Sequence, residues 1–139
     1  MNRRWSIAVL LVLPTLPTLL LAAADVDAAV RQAAIEWLKK LDTMNYSGSW
    51  ESAASVFKSA VSVQAWEKAV QSVRVPLGVL RSRAEKSATT SSSLPGAPDG
   101  KYVVLQYDAV FENKAAAVET LTLAQDQDGQ WRVAGYFIK

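Results

Sequence analysis

Lys101-Tyr-Val-Val-Leu-Gln-Tyr-Asp-Ala-Val-Phe-Glu112 is followed, after a turn, by Val118-Glu-Thr-Leu-Thr-Leu-Ala124 and, after a second turn, by Gln130-Trp-Arg-Val-Ala-Gly-Tyr-Phe-Ile138. These three runs decide the fold, because their Val, Thr, Tyr, Phe, Trp and Leu content suits a pleated, half-buried surface. Period-two alternation puts Val103, Leu105, Tyr107, Ala109 and Phe111 on one face of the first run. Leu121 and Leu123 share a face of the second run, and Trp131, Val133 and Phe137 share a face of the third. The opposite faces are mixed. Tyr102, Val104, Val110, Val118, Tyr136 and Ile138 fall there and form an apolar patch suited to a partner or to self-association.

Working outward, Asp126-Gln-Asp-Gly129 suits a tight hairpin, and Asn113-Lys114 suits a looser one that precedes Val118. Pro95-Gly96 and Pro98-Asp99-Gly100 feed Lys101 into the sheet through two turns. Further upstream, Val79 to Thr90 alternates weakly and carries Arg81, Arg83, Glu85 and Lys86. That charge suits an edge strand that refuses unwanted pairing.

The first half of the chain is helical in period. Val30, Ala33, Ala34, Trp37, Leu38 and Leu41 form one stripe over residues 27–41, with Asp25 or Asp27 as cap. After a break at residues 45–48, Trp50, Ala53, Ala54, Phe57 and Val61 form a second stripe. Val63, Trp66, Val70 and Val73 form a third, which ends before Pro76; the second and third are either two helices or one kinked helix. Helices first and strands second predict an α+β fold, with the N-terminal helices packed on one face of a four-stranded antiparallel sheet.

Residues 1–24 read as a secretory leader: Arg3 and Arg4, an apolar run from Trp5, and Ala22-Ala-Ala24 as the cleavage site. The expectation is an exported, periplasmic protein cleaved after Ala24, with residues 25–139 as one domain. Membrane contact is expected only through the export signal. Arg3 and Arg4 account for the formal charge of +2, which leaves 13 bases against 13 acids. A near-neutral domain gives no reason to expect nucleic acid as partner. The chain has no cysteine and no histidine. That excludes thiol nucleophiles, thiolate or imidazole metal ligation, and a Ser-His-Asp triad. No metal or cofactor is expected.

Ser49-Trp50 with Phe57 and Trp66, Arg74-Val-Pro-Leu-Gly78, Ser93-Leu-Pro-Gly-Ala-Pro-Asp-Gly100, Tyr102-Val-Val-Leu-Gln106, Phe111-Glu-Asn-Lys114, Glu119-Thr120 and Gly129-Gln-Trp-Arg-Val-Ala-Gly-Tyr-Phe-Ile138 follow one another in the chain. In that order they resemble the bacterial domain-of-unknown-function 4019 family over nearly all of residues 25–139. The resemblance implies an exported bacterial protein of the NTF2-like or cystatin-like α+β group. It carries over no catalytic residue.

Candidate sites follow from the faces. Asp108, beside Gln106 on the mixed face, suits a proton-abstracting base with Tyr102 or Tyr136 as donor, or else a solvated acid. Glu119 shares a face with Leu121 and Leu123. If buried, it demands an arginine from Arg74, Arg81, Arg83 or Arg132; the expectation is that it sits at the strand start, on the rim. Arg74, Arg81, Arg83 and Lys86 could hold an anion, but read better as a charged edge. Trp37, Trp50, Trp66 and Trp131 read as core. The leading expectation is an exported binding or interaction module whose open sheet face binds a partner, an unknown protein or small ligand, or a second copy of itself as a homodimer. The alternative is a cofactor-independent isomerase or dehydratase built on Asp108 or Glu119.

Overall fold

The computed structural model describes residues 26–139, so the leader expected at residues 1–24 lies outside the described residues. Among these residues, four α-helices precede four strands: α1 (Ala28–Asp42), α2 (Tyr46–Glu51), α3 (Ser55–Ala60), α4 (Val63–Arg74), then β1 (Leu80–Ser91), β2 (Tyr102–Phe111), β3 (Lys114–Gln125) and β4 (Trp131–Ile138). The strands form one antiparallel sheet in the order β1-β2-β3-β4. The fold is α+β, with the helices against one face of the sheet.

Asp27 caps α1, accepting a hydrogen bond from the Ala29 N–H at 3.0 Å. The α1 stripe buries Val30, Ala34, Trp37, Leu38 and Leu41. The expected break at residues 45–48 is shorter: Asn45 caps α2, accepting from the Gly48 N–H, so α2 starts at Tyr46. The expected second helix divides at Ala53-Ala54, where the Ala54 N–H leaves the helical pattern and donates to the Val133 carbonyl of β4 at 2.7 Å. Ser62 caps α4 and separates it from α3, so there is no single kinked helix. Ser49 accepts the indole N–H groups of both buried tryptophans: its carbonyl takes Trp37 at 2.8 Å and its hydroxyl takes Trp66 at 2.9 Å.

Between helices and sheet, a short 3₁₀ turn (Val75–Leu77) leads to Gly78 at φ 75°. A Cβ there would lie 2.9 Å from the Glu112 Cβ, so only glycine fits both the backbone and the space. Val103, Leu105, Tyr107, Ala109 and Phe111 are all buried on the helix-covered face, as alternation requires. β3 begins at Lys114, not Val118, because Glu112-Asn113 alone make the turn and Ala115 to Ala117 belong to the strand.

β4 corrects the expected faces. Leu123 pairs with Val133 but Thr122 pairs with Gly135, which leaves Ala134 as an extra residue, a β-bulge. Parity reverses beyond it. Tyr136 therefore turns to the helix side, 5.6 Å from the Trp37 ring, and Ile138 packs beside Phe111 and Ala117. Phe137 turns outward and is 62% exposed. Trp131 is half-buried and walls a 690 Å³ cleft with Val30, Ser91, Lys101 and Tyr102.

Candidate functional site

Four charged side chains and a tyrosine meet beneath the helices. Asp42 ends α1 and Arg74 ends α4. A helix C-terminus favours a cation and disfavours an acid, so Arg74 suits its position and Asp42 needs compensation. It receives that from Arg74 Nη2 at 2.8 Å and from Arg83 Nη1 and Nη2 at 2.8 and 2.9 Å. Arg83 comes from β1, where its cross-strand neighbour on β2 is Ala109. The small Ala109 side chain leaves room for the guanidinium to cross β2 and donate to both Glu119 oxygens on β3, at 2.6 and 3.2 Å. The Tyr136 hydroxyl donates to Glu119 Oε2 at 2.5 Å, and Arg74 Nη1 lies 3.9 Å from the same oxygen.

Glu119 is thus fully buried, with its carboxyl 0% exposed. This corrects the rim position expected for it. The burial penalty is met by charge pairing and hydrogen bonds, the condition a buried carboxylate requires. Arg74 is 5% exposed and stacks 4.9 Å over the Phe111 ring. Burial alone would raise the pKa of Asp42, but hydrogen bonds from Arg83 and Arg74 outweigh it and hold the group below the usual carboxylate range. For Arg83 burial opposes the charge, yet Asp42 and Glu119 win and push its pKa up. Burial first, and the Glu119 charge second, push the Tyr136 hydroxyl well above its ordinary value.

The remaining candidates lie elsewhere. Asp108 is exposed on the outer face, 3.9 Å from Lys86. Tyr102 is buried on that face among Ala54, Val56, Leu94 and Ala97, and its hydroxyl donates to the Pro98 carbonyl. Neither Tyr102 nor Tyr136 stands beside Asp108, because the bulge carries Tyr136 to the other side of the sheet. Arg81 is exposed, while Arg74 and Arg83 face inward, so the basic group Arg74, Arg81, Arg83 and Lys86 does not converge. Arg132 pairs with Asp126 and Asp128 at the β3–β4 turn, at 2.9 and 2.8 Å. Asp42 was not marked by periodicity; its signal is an acid closing a helix, against the dipole. Among the described residues, no group of three or more His, Cys, Asp or Glu could hold a metal. No helix among them is long and apolar enough to cross a membrane.

Chemically, the carboxylates of the buried cluster are satisfied, while Arg74 Nε and Nη1 are buried without a hydrogen-bond partner among the described residues. Both Glu119 oxygens and both Asp42 oxygens accept hydrogen bonds from within the protein. The 240 Å³ cleft above it reaches Asp42 and Arg74 between Met44, Val75 and Val79, but not Glu119.

The opposite face of the sheet is different in kind. Among the described residues, no helix covers Val104, Gln106, Asp108, Val110 and Val118, and Phe137 stands at the β4 end of that face. A ladder of side chains runs across it: Gln106 donates to Thr120 Oγ1 at 3.2 Å, and the Ser87 hydroxyl donates to the Gln106 side-chain oxygen at 3.1 Å.

Compared with known proteins, residues 33–136 match the family model described as "Protein of unknown function (DUF4019)". No curated protein matches. A solved structure, Aln2 from a Streptomyces species, is similar at 14% identity, covering 80% of this chain and 87% of that one, with a TM-score of 0.49.

Proposed function

The chain belongs to the DUF4019 family, and we propose that it works as a small exported binding module whose contact surface is the uncovered face of its sheet. One observation carries this reading: among the described residues the helices pack on one side, with only Ala54 and Val56 reaching round to Tyr102, while the rest of the other side leaves Val104, Val110, Val118 and Phe137 partly or largely exposed around a polar ladder. A sheet face of that composition suits a protein surface of mixed apolar and hydrogen-bonding character. Its charged groups, Asp108 and Lys86, lie 3.9 Å apart and offset one another, so no strongly charged partner is called for. Export is supported by the basic start, apolar run and Ala22-Ala-Ala24 of the leader.

Photo-cross-linkers placed at Val118 and, as control, at exposed Ser72 test the surface in cells. A discrete protein adduct at Val118 alone is the expected result; equal labelling at both positions, or none at Val118, overturns it. Amino-terminal sequencing of the periplasmic fraction should begin at Asp25, and retention of the full chain in the cytoplasm defeats the export reading.

A second reading, an isomerase or dehydratase, draws on the 2.5 Å contact between Tyr136 and Glu119. A general base must reach the proton it removes. Glu119 is fully buried and already accepts from Arg83 and Tyr136, so the binding reading is the better supported.

A further inference from the structure

The two edges of the sheet are finished differently. β1 carries Arg81, Glu85 and Lys86 and two register shifts along its pairing with β2, which discourage a further strand. The end of β4 carries only Tyr136, Phe137 and Ile138 before Lys139. Lys139 and Val118 exchange both backbone hydrogen bonds, each at 3.0 Å. Antiparallel alternation then points the peptide groups of Gly135 and Phe137 toward β3, and those of Tyr136 and Ile138 outward. Upstream, Ala54 covers the outward carbonyl of Val133. Among the described residues, no backbone group does the same for Tyr136 or Ile138. Beside them runs an apolar groove of 200 Å³ between α4 and β4, walled by Trp66, Val70, Val73, Tyr136 and Ile138.

We propose that this edge is completed by β4 of a second copy of the chain, antiparallel about a two-fold axis at Phe137. The pattern is its own complement, which is what a two-fold contact requires. Tyr136 faces the second copy's Ile138 and exchanges both backbone hydrogen bonds with it, and the reciprocal pair does the same. Phe137 faces the second copy's Phe137 as a non-hydrogen-bonded pair, the arrangement that brings side chains closest. Both Ile138 side chains project toward the helix side, each over the other copy's apolar groove. Lys139 falls opposite Gly135, so no like charges meet. The outer faces of the two sheets join into one continuous surface. This pairing does not rest on that surface binding a partner.

So short a pairing sits below the roughly 800 Å² per partner of stable interfaces, and the dimer should form at high protein concentration. Sedimentation of the exported chain, over a range on the order of 1 μM to 1 mM, should show mass rising from monomer to dimer. The chain has no cysteine, so Phe137→Cys adds a lone thiol at the axis. Mild oxidation should yield a covalent dimer, whereas Val110→Cys, exposed on the outer face of β2, should not. Phe137→Lys and Phe137→Glu should each weaken association more than tenfold, and an equimolar mixture of the two should restore it. Phe137 is exposed, so all these variants should keep the parent's melting transition. A parent that stays monomeric throughout overturns the proposal. So do equal cross-linking at positions 110 and 137 and a mixture that stays monomeric.

Discussion

Two ionic clusters in this molecule use the same functional groups and do opposite work. Asp42, Arg74, Arg83 and Glu119 meet inside, where the Glu119 side chain is 0% and the Arg74 side chain 5% exposed. Asp126, Asp128 and Arg132 meet at the β3–β4 turn, where Asp128 is 53% exposed. Water can take over the hydrogen bonds of the turn cluster when one partner is lost. It reaches Asp42 from the cleft but not Glu119, which is held by its protein partners alone. Burial, rather than distance, separates them: the Arg132–Asp128 contact at 2.8 Å is as short as those of Arg83 to Asp42 at 2.8 and 2.9 Å. Close geometry is therefore a poor guide to the energetic weight of an ion pair.

The sharpest break of that contrast is Arg83→Met, which leaves Glu119 and Asp42 short of their main partner. It should cost about 3–5 kcal/mol in denaturant unfolding. Adding Glu119→Leu should recover part of the loss, because it removes the buried carboxylate that Arg83 had paired, while Asp42 keeps Arg74. Tyr136→Phe should cost about 1.5–3 kcal/mol, the range for a hydrogen bond to a charged group. It should also flatten the alkaline limb of stability. Tyr136 is raised above 10.0 by burial and by Glu119, and Tyr107 is raised to about 12 by burial and by Glu85. A raised folded-state pKa gives stability that is complete below pH 10 and lost as pH climbs past it. Unfolding should thus set in as pH rises above 10, with Tyr136→Phe showing the gentler slope.

The acid limb compares the two clusters directly. Asp42 is held low by Arg83 and Arg74 against its burial; Asp128 is held at about 2 by Arg132 and the Gln130 N–H. A lowered folded-state pKa gives stability that is complete above 3.8 and lost as pH falls below it. Added salt should erase most of the Asp128 part and little of the Asp42 part, since only the exposed pair is screened. Smallest of all, Arg132→Gln should cost less than about 1 kcal/mol at ordinary salt. A loss matching that of Arg83→Met would abolish the distinction drawn between the clusters.

Much of this was legible in the sequence where a period runs unbroken. The α1 stripe and the inward set from Val103 to Phe111 fall where alternation and helical spacing put them. Legibility fails where one backbone hydrogen bond overrides a local pattern. Ala53-Ala54 continues a good helical stripe, yet the Ala54 N–H is taken by β4 and the helix divides. Glu119 was visible as an acid on an apolar face. Its burial was not, because the arginine that accommodates it arrives from β1 across Ala109, a neighbour no local reading provides. The outward turn of Phe137 follows from one unpaired residue, Ala134, whose only trace in sequence is a pair of small residues in mid-strand. The fold class depends on many such positions and survives one shift; the site depends on few and does not.

That lone unpaired alanine also marks where the strand has slack. Deleting Ala134 would close the bulge and leave the pairing beyond it as it is, with Tyr136 still opposite Leu121 on the helix side and Phe137 still outward opposite Thr120. Glu119 would keep its tyrosine donor. The arm can therefore shed one residue at this point without disturbing the interior, a tolerance that the regularly paired stretch from Tyr136 to Ile138 does not share.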